Sequence, residues 1–160
     1  MTGTVGAVSA VEIRLRELGL SLPAVASPVA VYVPAVITGN LVHTSGQLPF
    51  VDGVLPGTGK VGAEVGAEEA ASYAAICAIN ALAAVKAQIG DLDRISKVVK
   101  LVGYVASDPA FTGQPGVING ASELLGKIFG NAGSHARSAV GVAVLPLDAP
   151  VEIEMIVEFA

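Results

Sequence analysis

The sequence has no tryptophan, one cysteine, two histidines and no cluster of basic residues. Each scarcity excludes something. A lone cysteine, Cys77, cannot build a disulfide framework within one chain, so a reducing compartment, the cytoplasm, is the expected location. Cys77 lies inside an alanine-rich helical pattern, which predicts a buried structural thiol rather than a nucleophile. His43 and His135 stand in no HxxxH or paired-carboxylate spacing, so no metal is expected. Nine Lys+Arg against 14 Asp+Glu leave a formal net charge of −5. The electrostatic footprint of a nucleic-acid binder is missing. A small acidic substrate would need a local positive group rather than a positive protein. No basic segment followed by a long apolar run opens the sequence, so no signal peptide is expected. The most apolar stretch, AASYAAICAINALAAV, reads as too short for a membrane span and carries Ser72, Tyr73 and Asn80.

What is present is apolar and small. Hydrophobic residues make up 52% and charged residues 14% of the 160 positions, which places the chain with globular domains that bury a real core. So few surface charges leave two readings open: an outer surface covered by other subunits, or simply an alanine-rich composition.

Along the chain, SAVEIRLREL predicts a short helix, with Ser9 and Glu12 spaced as a capping box. A linker broken by Pro23 and Pro28 follows, so residues 1–27 read as helix plus linker and 28–160 as the main domain. VAVYVPAVI and NLVHTSGQ read as strands joined by a tight turn at Thr38-Gly39-Asn40. LPFVDGVLPGTGKVG is a long loop. AEEAASYAAICAINALAAVKAQIG is the strongest helix, with acids at its start, Lys86 near its end and Gly90 as terminator. RISKVVKLVGYVAS reads as a long strand, and a third helix begins near Pro115. Two strands close the chain. The order α, ββ, α, β, α, ββ predicts an α+β layer fold, a mixed sheet with two packed helices plus a short N-terminal helix.

GTGKVG matches a dinucleotide-binding glycine pattern, but Pro56 precedes it and a loop surrounds it, so a hairpin loop is expected there. Ser45 has no partner base in the sequence and no nucleophile elbow surrounds it. His135 sits beside Arg137 and is a candidate pocket residue.

Arg137 heads a strand whose same-side residues, Ala139, Gly141 and Ala143, are tiny, leaving room beside the guanidinium. Glu152 lies near the start of the last strand. Two readings remain open for this pair. One is a pocket for a small anion; the other is a structural Arg–Glu ion pair.

At these residues the sequence resembles the RidA/YjgF family, also called L-PSP endoribonuclease-like proteins. ARSAVGVAVLPLDAPVEIEMIVEF resembles the family's C-terminal signature, and YVPAVITGNLVHTSGQLP its N-terminal one. GDLDRISKVVKLVGYVAS resembles the central strand, and VINGASELLGKIFG the helix carrying a family asparagine. The resemblance runs from about residue 28 to the end, with the N-terminal helix as an addition of a longer branch. It implies a chorismate-mutase-like fold and a homotrimer with clefts between subunits. It also implies hydrolysis of reactive 2-imino acids to 2-keto acids and ammonia, without cofactor. By resemblance, Arg137 grips the substrate carboxylate and Glu152 stands near the attacking water. Tyr32 and Asn119 line the cleft, and Ser45 and Gly46 form the turn beside the substrate. A family cysteine two positions past the arginine is Ala139 here, which keeps only its backbone N–H. Gly141, where many members carry a larger polar residue, implies a wider pocket. The alternative to catalysis is a trimer that only binds small carboxylates such as 2-keto acids. Ribonuclease activity is disfavoured by the acidic charge, and no membrane partner is implied.

Overall fold

A computed structural model describes residues 8–25 and 31–160. The order of elements is helix α1 (Ala10–Glu17), strands β1 (Ala35–Thr38) and β2 (Leu41–Thr44), helix α2 (Ala67–Ile89), strand β3 (Ile95–Ala106), helix α3 (Gln114–Phe129), and strands β4 (Ala136–Val142) and β5 (Val151–Phe159). This is the expected order. The five strands form one mixed sheet, β1-β2-β5-β3-β4. β1 and β2 make a hairpin closed by Gly39-Asn40, with Thr38 opposite Leu41 and Gly39 at φ 57°. β3 and β4 run parallel, joined through α3, while β3 and β5 are antiparallel. The last two strands are therefore not a hairpin: β3 lies between them.

Helices cover one face of the sheet. Val151, Ile153, Met155 and Val157 of β5 alternate inward with Leu101 and Val105 of β3, all fully or almost fully buried. The residues between them, Glu152, Glu154 and Tyr104, point to the opposite face and stay partly exposed. Each large inward side chain contributes about 1.5–3 kcal/mol on burial. α2 is long and apolar enough to cross a bilayer by length and composition, longer than the sequence run implied. It is instead the core helix, with Ala74, Cys77, Ala78, Ala81 and Leu82 completely buried. Its small residues let α3 pack close: a Cβ added at Gly120 would stand 2.0 Å from the Ala71 carbonyl oxygen. The GTGKVG segment is a loop between β2 and α2, more than ten residues past the end of the strand, so no strand feeds directly into it.

α1 is tied to this body rather than free. Ser9 accepts the Glu12 N–H as N-cap, which is the forward half of the capping box. Glu12 does not return the bond but pairs with Lys86 of α2. Asp93 accepts hydrogen bonds from Ser9 Oγ, Ala10 N and Val11 N, each 2.8 Å long, so a residue 82–84 positions away caps the helix. Arg14 donates to the Ile128 carbonyl at the end of α3, 2.6 Å, and Val11 and Leu15 are buried.

Candidate active site

Arg137, the second residue of β4, lies opposite Leu101. Leu101 is buried beneath the helices, so Arg137 leaves the sheet on the helix side, at its edge. Nη1 donates to Asn119 Oδ1 (2.8 Å) and to Ser122 Oγ (3.2 Å). Asn119 and Ser122 are three apart on α3 and share one face of it. No described residue accepts from Nε or Nη2 of Arg137. Because a guanidinium only donates, Asn119 must turn its oxygen inward, leaving its amide donors outward. Ala139, two residues on, packs against the core, as its small side chain allows.

Glu152 lies elsewhere. It pairs in register with Tyr104 on the open face of the sheet. Two strand spacings and three residues of rise put its Cα roughly 14 Å from that of Arg137, on the other side of the sheet. The two therefore form no ion pair, and the structural-pair reading falls; nor is Glu152 on the strand next to Arg137. Its carboxylate lies against the turn after β2: a Cβ at Gly46 would fall 2.0 Å from Glu152 Oε1. Burial, and then the nearby charge of Glu154, raise the Glu152 carboxyl above its ordinary range. The turn is held by Ser45, whose N–H donates to the Pro34 carbonyl (2.8 Å) and whose hydroxyl donates to the Val33 carbonyl (2.6 Å). That fastens the segment carrying Tyr32, whose side chain is exposed.

The expected residues thus fall into two separate groups in the chain. Arg137, Asn119 and Ala139 stand at the β4 edge on the helix side. Ser45, Gly46 and Glu152 lie together at the turn after β2, and Tyr32 stands exposed one residue before Val33, to which Ser45 is bonded. The wider pocket expected at Gly141 is not there: a Cβ at that position would lie 2.8 Å from Gln114 Nε2 and 3.2 Å from Ser107 Oγ. Gln114 fills the space and is held there by the Phe111 carbonyl at 2.8 Å.

Cys77 is fully buried, and burial pushes its thiol well up, so it is no nucleophile. Among the described residues no cluster of three or more His, Cys, Asp or Glu is placed to hold a metal ion. His135 does line a hollow, of about 370 Å³, with Ser122, Gly126, Gly133, Ser134 and Arg137. Ser122 was missed by the sequence reading. The signal available was its three-residue spacing from Asn119 on the helix face that meets Arg137.

A helix-covered mixed sheet with a partly free arginine at its edge and a half-buried glutamate on its open face defines a class of small α+β proteins. The family model described as "YjgF/chorismate mutase-like, putative endoribonuclease" matches residues 12–159. The chain belongs to this YjgF (RidA-like) family. It is 46% identical over 146 residues to protein TCP17 of Trypanosoma cruzi, covering 91% of each chain. It is 36% identical over 125 residues to the 2-iminobutanoate/2-iminopropanoate deaminase of Escherichia coli K12, covering 78% of this chain and 84% of that one. The crystal structure of protein Atu1372 from Agrobacterium tumefaciens superposes with a TM-score of 0.88 at 50% identity, covering 94% of this chain and 92% of the other.

Proposed function

We propose that the protein hydrolyses small reactive 2-imino acids to 2-keto acids and ammonia, at sites formed between copies of the chain. The observation that carries this reading is the guanidinium of Arg137. It is anchored through Nη1 alone, so Nε and Nη2 remain as a planar fork for both oxygens of a carboxylate. Similarity to the E. coli deaminase supports the substrate class.

In this reading Arg137 fixes the imino acid by its carboxylate and Asn119 donates beside it. Glu152 orients a water and accepts its proton as the water oxygen bonds to the imine carbon. The C=N π electrons move to nitrogen and the proton returns there, giving an amino alcohol; its hydroxyl proton then passes through Glu152 to the amine nitrogen as the C–N bond breaks, so that the carbonyl forms and ammonia leaves. Positioning supplies most of the acceleration because the imine is itself electrophilic.

One chain keeps Arg137 and Glu152 apart, so the second half-site comes from a neighbour. The two sheet edges fit such a contact. Val140 and Val144 lie exposed in and after β4, and Tyr32, Val33, Val36 and Ile37 lie exposed at β1. Packing one edge against the other in a ring, as a homotrimer, covers both apolar strips and brings Arg137 of one copy toward the Tyr32–Gly46 turn of the next.

The test is keto-acid release from imines generated in situ by an amino-acid oxidase. Arg137→Lys is expected to lower kcat/KM about ten- to a hundredfold, the worth of a charge-assisted hydrogen bond that a point charge cannot duplicate. No acceleration over buffer with any imine would refute the reading. A second reading, a non-catalytic binder of 2-keto acids, is favoured by the absence of any carboxylate beside Arg137 among the described residues. Calorimetric binding of 2-oxobutanoate without imine turnover would select it.

A further inference from the structure

We infer that Ser122 and His135 are positioning residues for Arg137, locking the guanidinium in the orientation that offers its free donors to a carboxylate. The inference rests on the reading of Arg137 proposed above.

The proton order along the network follows from its two ends. The Gly133 carbonyl can only accept, and His135 Nδ1 lies 2.6 Å from it, so Nδ1 carries the hydrogen. A neutral imidazole then has a lone pair at Nε2, and Ser122 Oγ, 2.9 Å away, donates its hydrogen there. The Ser122 oxygen is left as acceptor, and Arg137 Nη1, an obligate donor, supplies a hydrogen at 3.2 Å. The other Nη1 hydrogen goes to Asn119 at 2.8 Å. With the ring neutral, reversing any member leaves two donors or two acceptors face to face.

Two further observations show what the network prevents. The hollow of about 370 Å³ opens directly beside Arg137, so a guanidinium tethered only to Asn119 has room to swing away from a ligand. The far anchor cannot drift. Gly133 ends the 3-10 turn after α3, so close to the helix that a Cβ there would stand 2.4 Å from the Leu125 carbonyl oxygen. The chain Gly133–His135–Ser122 therefore transmits a fixed backbone position to Nη1. Neither Ser122 nor His135 needs to touch substrate.

The experiment compares wild type with Ser122→Ala, Ser122→Thr and His135→Leu, using three readouts. Ser122→Ala is expected to raise KM for in-situ imines and Kd for 2-oxobutanoate about three- to tenfold, the worth of one hydrogen bond. kcat should stay within about twofold, since the chemistry is not touched. Ser122→Thr, which keeps the hydroxyl, should restore both constants, and His135→Leu should reproduce the alanine effect. The double variant should be no worse than either single one, because the pair acts as a unit. The third readout needs no ligand: nitrogen NMR should show separate Arg137 Nη1 and Nη2 resonances in wild type, merging in Ser122→Ala as rotation about the Nε–Cζ bond is released. Unchanged Arg137 resonances in Ser122→Ala, or a threonine that fails to rescue, would overturn the inference. If wild type neither binds 2-oxobutanoate nor hydrolyses imines, the proposed function fails, and the NMR comparison alone still decides whether Ser122 and His135 hold Arg137.

Discussion

Gly46→Ala isolates the placement of Glu152. A Cβ at this position would lie 2.0 Å from Glu152 Oε1 and 2.8 Å from its Cδ. Ordinary carbon–oxygen contact needs about 3.3 Å or more, so the carboxylate must retreat by more than about 1 Å. The obstacle is the end of a flexible side chain on the open face of the sheet, not backbone. The cost to folding is that of a rotamer change, about 0.5–1.5 kcal/mol, which lowers Tm by only a few degrees in a domain of this size. The cost to catalysis is larger. A group that orients a water and is displaced by about 1 Å loses on the order of a hundredfold in rate. The assay is keto-acid release from in-situ imines, with thermal melting alongside. Because a methyl at Gly46 could also crowd substrate, the same change is made in a Glu152→Gln background. If the methyl acts through the carboxylate, Gly46→Ala adds little once Glu152 is gone. Full activity in Gly46→Ala, or an undiminished loss in the Glu152→Gln background, would refute the reasoning.

Two other outcomes follow from charges. Burial and then Glu154 raise the Glu152 carboxyl, and a general base must be ionised to work. Glu154→Gln removes the like charge, so the acid limb of the kcat/KM profile should move to lower pH while staying above an ordinary carboxylate's, because burial persists; an upward shift would contradict the assignment. Asp93 caps α1 from a distance, and chiefly the Val11 N–H, with help from Ala10 and Ser9, holds its carboxyl below the usual range. A depressed folded-state pKa contributes stability above the unfolded value near 3.9, and that stability is lost as pH falls through the folded value. Asp93→Ala should therefore cost about 1–2 kcal/mol at neutral pH by denaturant unfolding, with the gap to wild type closing in acid. An equal gap at pH 3 would rule this out.

Much of the architecture was legible because it is local. The Gly39-Asn40 turn, the acid-to-Lys86-to-Gly90 grammar of α2 and the two-residue alternation of β3 and β5 are short-range preferences, and tertiary packing did not override them. The alternation also placed Arg137, Ala139 and Gly141 on one side of β4. The buried state of Cys77 was legible for the same reason, since an alanine-rich helix carrying a thiol fits only inside. Local pattern failed at Gly141. The sequence shows a missing side chain there, but only packing shows that Gln114, 27 residues earlier, reaches into the space.

The sequence by itself determined the element order, the mixed sheet with its helical cover, and which residue types could grip a carboxylate. Only the tertiary structure decided that β3 separates β4 from β5, and, through the strand register, that Arg137 and Glu152 leave opposite faces of the sheet. It also decided that Asn119 and Ser122, the latter backed by His135, hold the guanidinium, with no described carboxylate bonded to it. The physical reason is that side-chain direction along a strand follows from periodicity. Which strands become neighbours depends on how α2 and α3 bury their apolar faces together, and no short stretch of sequence encodes that.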